Sequence, residues 1–141
     1  MTNKRKAILR TMVGVVLLFA VVITVFQVSG RIQRFGILER NLDNAKAVTL
    51  ALHEYASDYE GHFPGSLQAL MPKYCTSENV LLETVSDGHT KVRWRYEPGH
   101  KSDEKPIAIV IASSPNSTGE RVVGYTDGWV KVLSASDDTS R

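Results

Sequence analysis

No acidic side chain occurs before Glu39, although the chain carries fifteen Asp and Glu in its 141 residues. The opening segment is therefore basic or neutral throughout, with Lys4, Arg5, Lys6 and Arg10 ahead of everything else. Cysteine is nearly absent too. The single Cys75 rules out an internal disulfide, so an exported domain has to be held together by packing alone. A small partly buried thiol is the simplest reading of Cys75, with pairing between chains as the alternative. Motifs for chemistry are missing as well. His53-Glu54 lacks the second His of a His-Glu-x-x-His zinc site, and no Gly-x-Ser-x-Gly or phosphate-cradling loop is present. The four histidines, His53, His62, His89 and His100, show no ligand spacing. Asp58 and Glu60 read as solvated or capping groups near a helix end. No catalytic residue, cofactor or metal site is expected. Clustered basic residues interleaved with aromatics, the mark of nucleic-acid binding, are limited to Arg93-Trp94-Arg95-Tyr96. That quartet reads as an amphipathic strand, and no nucleic-acid partner is expected.

What the chain does have is a long apolar run. Thr11 to Gly30 contains no charge, and Thr24 and Gln27 are its only clearly polar interior residues before Ser29. About 20 apolar residues in helical geometry span the hydrocarbon core of a bilayer, so residues 11–30 are expected to be a transmembrane helix. Val13, Val16, Leu17, Phe19, Val22, Ile23 and Phe26 are the expected lipid-contacting anchor. A cleaved signal peptide is the rival. Its apolar core is shorter, about 7 to 15 residues, and it ends at an Ala-x-Ala-like site, for which Val28-Ser29-Gly30 is only a passable substitute. Basic residues concentrated on the short N-terminal side predict that residues 1–10 stay in the cytoplasm. Residues 31–141 are then exported, and their thirteen basic and fifteen acidic side chains give a formal charge of −2.

Helical periodicity continues past the apolar run. Phe35, Leu38, Leu42, Ala45, Thr49, Leu52, Ala56 and Tyr59 follow one another at steps of three and four, which makes one stripe on a helix. Phe35, Leu38, Leu42, Ala45, Leu52 and Tyr59 are the expected packing or assembly face, with Leu42 and Leu52 as positions for helix–helix crosslinks. One helix is expected from about residue 6 to 59, stopped by Gly61. Ser66 then reads as the N-cap of a short helix from Leu67 to Leu70 or Met71, closed by Pro72.

Strands follow. Val80–Ser86 is one candidate. Thr90–Glu97 alternates strictly, with Val92, Trp94 and Tyr96 on one face and Lys91, Arg93 and Arg95 on the other. Ile107–Ala112 is apolar enough for a central strand. Arg121–Thr126 and Trp129–Leu133 flank Asp127-Gly128, a two-residue hairpin signal. Tyr55, Tyr59, Phe63 and Tyr74 are expected to pack the helix end on the sheet. Trp94 and Trp129 either anchor the core or mark a partner surface. Residues 31–134 thus form an α+β domain, with a long N-terminal helix packed on an antiparallel sheet of four to five strands. Residues 135–141 read as a disordered polar tail.

In this layout the chain resembles a type IV pilin-like protein, and in particular a type II secretion pseudopilin. The resemblance rests on the apolar anchor that continues into an amphipathic helix and then a small sheet. It also rests on the phrase from Leu52 to Tyr74 (helix end with Tyr, acidic residue and Gly, then Phe63-Pro64, Ser66-Leu67 and a short helix before Pro72). The hairpin Val123 to Leu133 is similar to the terminal Asp-Gly hairpin of prepilin-like proteins of planctomycetes and verrucomicrobia, with Trp129 where a His often stands. The resemblance implies a non-enzymatic, single-pass protein of the bacterial inner membrane, its N-terminus cytoplasmic and its domain periplasmic or extracytoplasmic. Such a protein serves as a structural or assembly component of a secretion or pilus-like system. Its implied partners are membrane lipid and other proteins reached through the N-terminal helix, including further copies of itself. The major pseudopilin binds calcium through C-terminal loops. Ser113–Glu120 and Asp127 supply few carboxylates for an ion that takes six to eight oxygens, so none is expected. One departure is clear: pilin precursors carry Glu five residues after a processing Gly, whereas Phe19 stands five after Gly14. Neither processing nor standard filament assembly carries over. A tethered or secreted extracytoplasmic ligand-binding module is the alternative function.

Overall fold

The computed structural model describes residues 3–137, and the chain divides into two compact units, Met1–Phe35 and Gly36–Arg141. One helix, α1, runs over Asn3–Asp58. The first unit consists of its N-terminal part. The second contains its C-terminal part and six short strands: β1 (Leu82–Thr84), β2 (Lys91–Arg93), β3 (Arg95–Tyr96), β4 (Ile109–Ala112), β5 (Arg121–Tyr125) and β6 (Val130–Leu133). The architecture is α+β with two antiparallel sheets, β1-β2 and β3-β4-β5-β6. Of the expected tail, residues 135–137 form a turn with Ser134, whose N–H donates to Asp137 Oδ2 at 3.1 Å. Residues 138–141, and 1–2 at the basic end, lie outside the described residues.

Six strands in place of four or five follow from one residue. Trp94 interrupts the alternating segment, so β2 pairs with β1 in one sheet and β3 with β4 in the other. The alternation itself holds across the break, since Trp94 is buried and Val92 and Tyr96 half-buried while Lys91, Arg93 and Arg95 are exposed. Trp94 Nε1 donates to Val80 O at 3.1 Å, which holds the indole under a 3₁₀ turn at Glu78–Leu81. That turn takes the first two residues of the strand expected at Val80–Ser86, which is reduced to Leu82–Thr84. The short helix after Ser66 is a single 3₁₀ turn, Leu67–Leu70, and Ser66 makes no side-chain cap bond. Four residues at three per turn put Leu67 and Leu70 on one side, and both are buried.

The second unit's core forms where α1 lies on the larger sheet. Ala45, Val48, Ala51, Leu52 and Ala56 pack with Val110, Ile111 and Val122, and with Trp94, Leu81, Leu67 and Leu70. Gly124 on β5 sets the closest approach. A Cβ there would fall 2.7 Å from Thr49 Oγ1 and 2.8 Å from Ile111 Cγ1, so only glycine lets the helix sit this low on the strand. At its end α1 closes with Gly61 N–H donating to Ala56 O at 2.8 Å, a six-to-one bond. The left-handed residue inside that closure is Glu60, at φ 54°, and not only Gly61 as expected.

β5 and β6 are joined at the expected Asp127-Gly128, but by a three-residue loop. Gly128 N–H donates to Tyr125 O at 3.0 Å and Tyr125 N–H to Trp129 O at 2.9 Å, with Gly128 at φ 91° supplying the bulge. Asp127 Oδ1 takes the Trp129 N–H at 3.1 Å and fixes the tip.

Candidate functional site

Three features of the described residues bear on function: an apolar helical surface, a polar latch between helix and sheet, and a groove beside the β5–β6 hairpin. The first belongs to the N-terminal unit. α1 holds one stretch long and apolar enough to cross a membrane, with a mean hydropathy of 2.5 over its most apolar window. Val13, Val16, Leu17, Phe19, Val22, Ile23 and Phe26 all expose more than half of their surface, and thirteen large apolar side chains between Met12 and Val28 are exposed together. Burying such a side chain yields about 1.5–3 kcal/mol, so this surface represents on the order of 20–40 kcal/mol. A domain's net stability is about 5–15 kcal/mol, so a surface of this kind calls for an apolar environment. Thr24 within it and Ser29 just past it return their hydroxyl hydrogens to the helix at Ala20 O and Val25 O.

The latch lies in the second unit. Asn41 is buried on α1, and its amide meets β1 with both ends: Nδ2 donates to Thr84 O and Oδ1 accepts from Thr84 N–H, each at 2.8 Å. Asn44 Nδ2 adds a bond to Leu82 O at 3.3 Å. The edge of β1 that does not face β2 is thereby closed by helix side chains, where a further strand would otherwise pair. On the same strand Glu83 is buried, and its carboxylate takes the Ser114 N–H and the Ser114 hydroxyl, each at 2.7 Å. Burial pushes the Glu83 carboxyl above its ordinary range, although these two bonds and nearby Arg95 oppose the shift.

The expected helix face divides. Leu38 and Leu42 are half-buried against the core, and Ala45 and Leu52 lie inside it, whereas Phe35 and Tyr59 are exposed by 72% and 50%. Tyr59 stacks on Tyr55 with centroids 4.1 Å apart, and Tyr55 meets Tyr74 edge to face. Lys73 Nζ and Tyr74 O–H both reach Asp58 Oδ2, at 2.7 and 2.6 Å, and hold that carboxyl below its usual range. The two tryptophans separate as well. Trp94 is a core anchor, while Trp129 is 74% exposed.

Trp129 forms one wall of a groove of about 510 Å³, lined on the helix side by Lys46, Thr49, Leu50 and His53 and on the hairpin side by Asp127, Gly128 and Val130. His53 lies edge-on to Phe63, and its Nε2 is buried without a hydrogen-bond partner. Leu50, an apolar residue off the helical stripe, is 62% exposed on the rim. No protein-family model, no curated protein and no solved structure matches this chain. Among the described residues, no group of three or more His, Cys, Asp or Glu is placed to hold a metal. His100 Nδ1 instead sits 2.7 Å from Glu104 Oε2 inside its own loop. Cys75 is buried, with its thiol 3.4 Å from Ser77 O. Leu50 had a legible signal, a large apolar residue outside the core stripe. Asn41 had none, because its partner lies 43 positions away.

Proposed function

We propose that this chain is a non-enzymatic, single-pass membrane protein of the bacterial cytoplasmic membrane, working as a structural or assembly component of a type II secretion or pilus-like system. The N-terminus is on the cytoplasmic side and the α+β domain on the extracytoplasmic side. The observation carrying this reading is that a single helix supplies both an exposed apolar stretch of membrane-spanning length and the face that organises the sheet. The basic, carboxylate-free start supports the orientation.

The test is topological. In a Cys75→Ser background, Ser117→Cys places a thiol on an exposed loop. The protein should stay with membranes after alkaline extraction and react from outside the cytoplasmic membrane with an impermeant maleimide. Release as a soluble protein, or labelling only after lysis, refutes the anchor or its orientation. Assembly is read by cysteines at Phe35 and Ala47. Leu42 and Leu52 are unsuitable for it, because they pack into the domain's own core. The alternative, a tethered ligand-binding module, is favoured by the Trp129 groove. A domain that never crosslinks and whose melting shifts with an added ligand would support it.

A further inference from the structure

β6 is the last strand of its sheet, and its hydrogen-bond phase can be read from one contact. Opposed residues in an antiparallel pair alternate between hydrogen-bonded and non-hydrogen-bonded pairs. Tyr125 N–H donates to Trp129 O, so Val123–Lys131 and Arg121–Leu133 are the bonded pairs. Gly124–Val130 and Val122–Val132 are the open ones. On the far side of β5, Val122 O accepts from Ser113 N–H at 2.8 Å, as this phase requires. Val130 and Val132 therefore direct their N–H and C=O away from β5. No hydrogen bond among the described residues uses these four groups. Two donor–acceptor pairs two residues apart, about 6.6–6.8 Å along a line, match one chemistry, an extended polypeptide backbone.

A second copy of β6 is a poor occupant. The antiparallel register that uses all four groups on both copies sets Lys131 directly opposite the same lysine of the copy, and like charges at opposed positions repel. A register centred on Val130 brings Val132 opposite Gly128 of the copy, whose N–H is already given to Tyr125 O. A register centred on Val132 brings Val130 opposite Ser134, whose N–H and C=O are both taken by Asp137. Lys131 belongs to no salt bridge among the described residues, and its ammonium rests 5.5 Å from the Tyr125 ring centroid. We infer that the free edge of β6 receives an antiparallel strand from a different protein, with an acidic residue opposite Lys131 and apolar residues opposite Val130 and Val132. Val130 also lines the groove with Leu50, His53 and Trp129, and the apolar side chain opposite it enters that groove. Lysine on an exposed edge also disfavours self-pairing, so one residue selects a partner and blocks polymerisation through the sheet. The inference does not depend on the membrane anchor.

The test uses full-length protein in mild detergent and two labelled peptides with blocked ends, Ser-Thr-Val-Glu-Val-Thr-Ser and the same peptide with Lys for Glu, followed by fluorescence anisotropy. The glutamate peptide should bind about fivefold more tightly than the lysine peptide, from the difference between opposed unlike and like charges. Lys131→Glu should reverse that preference. Val132→Pro removes an outward N–H and leaves every β5 bond in place, and it should weaken binding by about tenfold or more. Absence of binding by both peptides, equal binding of the two, or an affinity for the glutamate peptide that Val132→Pro leaves unchanged overturns the inference. If Val132→Pro melts unlike the parent, the reversal by Lys131→Glu alone decides.

Discussion

Replacing Asn41 by Ala removes both hydrogen bonds to Thr84 and leaves that residue's N–H and C=O without partners in a buried position. A neutral hydrogen bond contributes about 0.5–1.5 kcal/mol net, whereas a buried group left unpaired costs about 1–3 kcal/mol. The second figure governs here, because the truncation deletes one side of each pair and the backbone cannot be deleted with it. Two such groups give about 2–6 kcal/mol, with the lower end reached if water fills the space. For a domain of about 100 residues each kcal/mol is worth about 4–8 °C, so the melting temperature should fall by at least about 8 °C. Urea unfolding followed by the fluorescence of buried Trp94 measures the loss, and exchange of the Thr84 amide proton localises it. Asn41→Asp sharpens the test. It keeps the acceptor for Thr84 N–H but opposes a carboxylate to Thr84 O, so it should be the weaker protein at neutral pH and recover as acid protonates the side chain and restores a donor. A loss below about 1 kcal/mol for Asn41→Ala, or an Asn41→Asp protein that does not recover in acid, refutes the latch.

Gly124→Ala inserts a methyl group into the 2.7–2.8 Å contacts with Thr49 and Ile111 and should cost about 1–3 kcal/mol in urea unfolding, whereas a neutral effect would show that α1 rides higher on β5. Glu60→Gly relieves a left-handed non-glycine residue, worth about 1–2 kcal/mol, against about 0.4–1 kcal/mol for the added freedom of the unfolded chain, and should raise stability by up to about 1 kcal/mol; a loss would mean that Glu60 does more than terminate the helix. Glu83 binds its proton more tightly folded than unfolded, so its contribution favours the folded state below its ordinary range and is lost as pH rises through the raised value. The melting difference between Glu83→Gln and the parent should therefore move in favour of Gln between pH 4 and pH 7, and a constant difference would sink that assignment.

Local pattern made much of this fold legible. The steps of three and four from Phe35 onward mark the second half of α1, the apolar run marks β4 as an interior strand, and Asp127-Gly128 marks the hairpin. These signals are short-range, because each is fixed by a residue's own preferences or by neighbours within one turn. The features that escaped are those settled by partners far along the chain. Trp94 continues the alternation of its segment, yet its place under Val80 divides that segment between two sheets. Asn41 looks like a surface amide until Thr84 arrives beside it. Gly124 did carry a signal, an isolated glycine inside a strand pattern, which marks a close approach of another element. Trp129 is ambiguous in sequence because an indole beside a turn serves a core and a surface equally well, and only the loop's three-residue geometry turns it outward.

The Asn41 amide and the hollow at Gly124 act on α1 at two points eight residues apart, Asn41 and Thr49, slightly more than two turns. One is a hydrogen-bonded clamp and the other a steric stop, so together they index the helix in both rotation and translation. A roll of a few tens of degrees would pull the amide from Thr84, and a slide of one residue would carry Thr49 out of its notch. The outer residues Asp43, Ala47 and Leu50 are consequently presented at a fixed angle to the sheet. Any protein that grips this face receives the orientation of the whole α+β domain, and a single inserted or deleted residue between Asn41 and Thr49 would break either the clamp on Thr84 or the stop at Gly124 and so misalign that domain.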